Sequence, residues 1–270
     1  MGRKIIDCFI FYNELDLLTY KLNVLNDIVD YFVLVEATHT HVGQEKVLYY
    51  ESNKEVYKKF HKKIIHVIVD DFPYKSPNID INKGEQWLNE NFQRNAIGRG
   101  IKQIELKEDD LIIIGDLDEI ADPNTLKLLK YNPIPNNLLV CLTMDMYYYN
   151  LTTRFRDKWF HAKILTYEMM LKTGKSCEEI RMTWNIPAID KGGWHLSYFG
   201  DAKFIKNKLE NFTHQEFNRS EYTDIGAITK RMKESNDLFG RNNCTPDKIS
   251  VKENKYLPPL YQTYLKKYYD

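Results

Sequence analysis

The chain has 270 residues, 43% of them hydrophobic, with 38 Lys plus Arg balanced by 38 Asp plus Glu to a formal net charge of zero. That supplies one large core and excludes a global basic field for nucleic acid or an anionic membrane surface. Four scattered cysteines without a CxxC pair fit reduced thiols rather than a disulfide framework, and no apolar run is long enough to cross a bilayer.

Short apolar runs alternate with longer amphipathic ones through the first half, which predicts an α/β fold with a mainly parallel sheet flanked by helices. The predicted strands are Ile5 to Tyr12, Tyr31 to Glu36, Lys63 to Asp71 and Asp110 to Glu119. Helical spacing covers Glu14 to Leu25 and, as one long helix, Gly84 to Ile101. After Pro123 a short helix near Thr125 to Leu129 is predicted. Leu138 to Leu151, Lys158 to Tyr167 and Gly192 to Gly200 then read as strands of a mixed extension of the same sheet. Helices follow around Ala202 to Phe212 and Asp224 to Ser235. Residues 251–270 read as a loosely packed or mobile tail. Four Asn-x-Ser/Thr sequons, at Asn150, Asn211, Asn218 and Asn243, carry no weight in an Asn-rich chain.

The most apolar strand ends "LIIIGDLDEIADP", with three carboxylates in four positions. On an extended chain Asp116 and Asp118 project to one side and Glu119 elsewhere. Two carboxylates completed by phosphate oxygens and water suit Mg²⁺ or Mn²⁺, which points to a diphosphate substrate; a solvated acidic turn is the plainer alternative. Other predicted strand ends are polar too, and ligands of open α/β sheets bind beyond those ends. Asn13 and Glu14 follow the first strand at a helix start, Glu36 and Thr38 end the second with groups suited to a base or ribose, and Arg94 and Asn95 lie on the helix leading into the acidic strand. Arg94 can pair with phosphate or with Asp116.

This order of strand ends resembles the GT-A fold of nucleotide-sugar glycosyltransferases. From Asp7 to Arg241 the chain resembles glycosyltransferase family 17, through "DCFIFYNELDLL", "VDYFVLVEAT", "KIIHVIVDD", "QRNAIGRGI", "GDLDEI", "GGWHLSYFG" and "DLFGR". The resemblance implies an inverting transferase using UDP-N-acetylglucosamine and a divalent ion, with a glycan as acceptor. It implies one GT-A domain over residues 1–250, the nucleotide-sugar half being 1–123 and the acceptor half 124–250. His195 would complete a metal site with Asp116 and Asp118, and Lys203 would face the diphosphate, repeating the late His, Gly, Lys order seen in several GT-A enzymes.

An inverting transfer needs a base for the acceptor hydroxyl. Glu216, Asp190 and Asp145 are the candidates, and Glu216 is favoured because it stands beside His214 in a family-like block. On the acceptor side aromatic rings are expected, with Trp194 first and Tyr147, Tyr148, Tyr149, Trp159 and Phe160 behind it; His214 and Glu119 are further substrate-side candidates. Animal members of the family are anchored in the Golgi, whereas this Lys/Asn/Ile/Tyr-rich chain without an anchor is expected to be soluble and cytoplasmic, microbial or viral. Two competing readings are a non-catalytic carbohydrate-binding GT-A module and a haloacid-dehalogenase-type phosphatase with Asp116 as nucleophile.

Overall fold

A computed structural model describes residues 2–241 and 244–269; Asn243 of the last sequon lies outside them. The strands are β1 (Ile5–Phe11), β2 (Tyr31–Ala37), β3 (Ile64–Val69), β4 (Leu111–Asp116), β5 (Glu119–Ala121), β6 (Leu139–Tyr148), β7 (Thr153–Trp159), β8 (Lys163–Thr166), β9 (Ala188–Ser197) and β10 (Pro246–Lys248). They form one sheet in the order β10-β7-β6-β8-β4-β1-β2-β3, with β9 pairing β6 and β5. β3, β2, β1 and β4 are parallel; β8 runs against both β4 and β6, and β9 runs parallel to β6. This curled, mostly parallel sheet flanked by helices is the Rossmann-like α/β architecture expected.

β1 shows why the centre of the sheet is so apolar. Ile5, Phe9 and Phe11 enter the core on one face, Ile6 and Cys8 the core on the other, and all are buried. A strand covered on both sides reads as a continuous greasy run. From β1 the chain steps outward to β2 and β3, then crosses back to β4 on the other side of β1. The order therefore reverses between β1 and β4, and the crevice beyond their carboxyl ends is where such sheets bind ligands.

Four expectations change in detail. The helix predicted from Gly84 to Ile101 is two, Glu85–Asn95 and Ile97–Ile101, separated at Ala96. Lys158 to Tyr167 is not one strand: β7 and β8 are separate and lie on opposite sides of β6. The acidic strand stops at Asp116, turns through Leu117 and Asp118, and resumes as β5, so Asp116 and Asp118 do not share one face of a strand. The tail is built into the core: Leu265 and Tyr268 are buried, Asn254 Nδ2 donates to Tyr147 Oη at 2.7 Å, and Tyr20 Oη donates to the Pro259 carbonyl at 2.8 Å.

Candidate active site

Gly115 opens the acidic turn because it has no side chain: a Cβ there would lie 2.7 Å from Glu119 Oε2. The Glu119 carboxylate folds back into that space and accepts the Asp116 amide at 2.9 Å. Below the turn, Lys21 of the helix Leu15–Leu25 donates to the carbonyls of Asp116 (3.1 Å) and Glu119 (2.9 Å). From the side, Arg181 of the helix Cys177–Arg181 grips Glu119 through two nitrogens and Asp116 Oδ2 at 2.5 Å. Arg94 takes Asp116 Oδ1 at 2.5 Å and also binds Glu90 and Glu178. Burial alone would raise the Asp116 pKa, but Arg181 and Arg94 hold it well below the usual carboxylate range. With both oxygens held by guanidinium, Asp116 is a poor nucleophile, which removes the phosphatase reading.

Asp118 has different neighbours. Its Oδ1 stands 3.4 Å from His195 Nε2 and its Oδ2 accepts from Lys208 Nζ at 3.2 Å. Burial works against its charge, yet Lys208 and His195 together hold its pKa low. His195 reaches the turn because Gly193, at φ 146°, allows β9 to press against β5; a Cβ there would sit 2.0 Å from the Ile120 carbonyl. The ring stacks on Trp159 at 4.3 Å, and its buried Nδ1 has no hydrogen-bond partner. Lys208 also reaches Glu14 at 3.4 Å, which joins the end of β1 to the acidic turn across the switch point.

In this network three cations, Arg94, Arg181 and Lys208, serve six carboxylates, Glu14, Glu90, Asp116, Asp118, Glu119 and Glu178. The excess of negative charge would repel a diphosphate unless a cation came with it. Among the described residues no group of three or more His, Cys, Asp or Glu is gathered for a metal. The Asp118 and His195 pair still offers one oxygen and one nitrogen to a single ion, and ions of the Mg²⁺ class commonly take only one or two protein ligands, the rest being substrate phosphate and water. The donor set fits a divalent ion with Asp118 and His195 as ligands; Asp116 is already committed.

Beyond the end of β1, Asn13 Nδ2 and Tyr12 Oη share Asn207 Oδ1, at 3.2 and 2.9 Å, and Glu14 accepts the Asn13 amide at 3.1 Å. Glu36 is fully buried, accepts the Tyr50 amide at 3.0 Å and faces His66 and Lys46, so it is held inside the protein. Thr38 bonds His39 and the Val69 carbonyl. Asn95 is exposed and accepts the Glu178 amide at 3.0 Å, which fixes Glu178 against Arg94.

Other expected residues are dispersed. Lys203 is exposed, and Lys208 of the same helix, Ala202–Asn211, is the lysine that faces the turn. Trp194 is buried, packed against Tyr256 in a tilted pair and bonded to its carbonyl at 3.1 Å, so it is core and presents no ring to a ligand. Asp145 is buried in an ion pair with Lys158. Asp190 is exposed near the start of β9, whereas His195 is near its end. Glu216 is exposed, bonded to His214 Nδ1 at 2.7 Å, and follows Thr213, whose hydroxyl donates to Glu90. Arg181, Lys21 and Lys208 were not expected. Lys208 alone had a signal: it shares a helical stripe with buried Ile205 and Leu209, and Lys203 does not.

The site lies in a chain with known relatives. Over 132 residues, 47% of this chain, it is 27% identical to the beta-1,4-mannosyl-glycoprotein 4-beta-N-acetylglucosaminyltransferases of rat and human, and 26% identical to that of mouse. The aligned region is 23%, 24% and 23% of those proteins, so the chain spans about a quarter of the curated relatives it matches. These mammalian enzymes, named for a glycoprotein substrate, correct the expectation of a cytoplasmic microbial or viral protein. No described helix is long and apolar enough to cross a membrane. The family profile described as glycosyltransferase family 17 matches residues 1–254, nearly the whole chain, and the chain belongs to that family.

Proposed function

We propose that the protein is an inverting glycosyltransferase that moves N-acetylglucosamine from a UDP donor to a glycan hydroxyl with the help of Mn²⁺ or Mg²⁺. The observation that carries this is the placing of Asp118 between His195 and Lys208, at the β1/β4 switch point and within a network rich in carboxylates. Asp118 and His195 would hold the ion, which would offset the charge of the departing diphosphate. Lys208 adds a positive charge beside it. Arg94, Arg181 and Lys21 keep the turn in shape. Asn13, with Tyr12 and Asn207, lines the donor entrance. Glu216 is the base: it is the exposed carboxylate of the three candidates that sits beside a histidine, on the segment tied through Thr213 and Glu90 to Arg94. The relatives' names support the donor sugar and a mannosyl acceptor.

Titration of UDP into the protein with Mn²⁺ and with excess chelator tests the reading. Affinity should depend on the ion, and Asp118→Ala should abolish that dependence while the fold persists. Equal UDP affinity in chelator would overturn the metal-assisted mechanism, and turnover of GDP-mannose but not UDP-N-acetylglucosamine would overturn the donor assignment.

A further inference from the structure

A row of rings leads away from the acidic turn through His195. His195 stacks on Trp159 at 4.3 Å, Trp159 lies 4.2 Å from His161, and the His161 ring meets Trp184 edge to face at 4.9 Å. Each member is anchored separately. Trp159 Nε1 donates to Glu119. The buried Lys163 donates to the carbonyls of Phe160 (2.6 Å) and His161 (3.1 Å), and its ammonium lies over the Trp184 ring at 5.2 Å. Trp184 ends the row and is half exposed, on the loop between the helix that carries Arg181 and the strand that carries His195. Lys163 and His161 brace the ring, and half of it remains exposed.

We propose that Trp184 is the platform on which a neutral pyranose ring of the acceptor saccharide stacks, one sugar residue or more away from the hydroxyl that reacts. The inference rests on the transferase reading for the word acceptor; the saccharide site itself rests on the rings. Three features favour a neutral sugar. The C–H faces of a pyranose pack on an indole face, and a half-exposed tryptophan braced by Lys163 and His161 supplies that contact at reduced entropic cost. His161 is uncharged at neutral pH, since burial and, after it, the nearby Arg181 push it down to about 4. The row is continuous with Asp118 through His195, so a saccharide lying along it points at the switch point.

The test uses β-1,4-mannotriose as probe, with isothermal titration to the whole protein. Saturable binding is expected, weakened roughly fivefold or more in Trp184→Ala and largely restored in Trp184→Tyr, because an aromatic face adds on the order of 1 kcal/mol. UDP affinity with Mn²⁺ should be the same in all three proteins, and in transfer assays Trp184→Ala should raise KM for acceptor with little change in kcat. Absence of saturable mannotriose binding, or unchanged affinity in Trp184→Ala, would overturn the platform. If UDP binds none of the proteins while mannotriose binding stays sensitive to Trp184, the transferase reading fails and the saccharide site stands.

Discussion

Lys21 and Asp7 form an ion pair 3.4 Å apart with both side chains about 1% exposed, directly beneath the acidic turn. The ammonium has two further acceptors, the carbonyls of Asp116 and Glu119, so one lysine fixes the strand end β1 relies on and the loop that carries Asp118. Lys21→Met leaves Asp7 buried without its partner and should cost roughly 3–5 kcal/mol of stability. The double variant Lys21→Met/Asp7→Leu should recover much of that loss but not the nucleotide affinity, since the carbonyls remain unheld. Urea melts and UDP titrations on the two variants check both halves; equal recovery of stability and binding would contradict the positioning role.

The two lysines of the helix Ala202–Asn211 should separate cleanly. Lys208→Gln removes the cation beside Asp118 and should weaken UDP binding in Mn²⁺ by roughly tenfold or more, the scale of a charge-assisted hydrogen bond. Lys203→Gln, on the exposed face, should leave affinity unchanged. The reverse pattern would restore Lys203 as the diphosphate lysine.

Glu216→Gln should keep metal-dependent UDP binding and lower transfer by roughly a hundredfold, the usual scale for a lost general base. The product anomer, read by proton NMR, should be β. Full activity in Glu216→Gln would remove the base assignment, and an α-linked product would contradict inversion.

His161 gives the stability a pH signature. Its ordinary value of 6.5 is pushed down to about 4 by burial and then by Arg181. Between those values the unfolded chain carries a proton that the folded chain does not, so stability increases with pH across the window and falls as acid is added from 6.5 toward 4. His161→Phe keeps a ring between Trp159 and Trp184 and should remove part of that acid loss. Urea midpoints measured across the window check it, and parallel profiles for the two proteins would contradict it.

The parallel half of the sheet was legible because its strands are buried on both faces and so read as continuous apolar runs, and the site was legible as a place because those runs end in polar residues. Side-chain roles were harder to read. Asp116 and Asp118 look like a matched pair only while the strand is taken to continue; the turn at Leu117 sends one to arginines and the other to histidine and lysine. Trp194 and His195 are neighbours on a strand and must point to opposite faces, so a site that includes His195 places Trp194 in the core. Arg181 is 62 residues from Glu119 on a five-residue helix, with no local pattern to mark it as the clamp.

The hydrogen bond from Tyr20 to Pro259 joins residues 239 positions apart. The helix that follows β1 is therefore covered in part by a segment translated 239 residues after it. Such non-local closure slows folding and couples segments far apart in sequence into one cooperative transition. During synthesis the early strands must wait, with greasy faces uncovered, for a partner still to be translated.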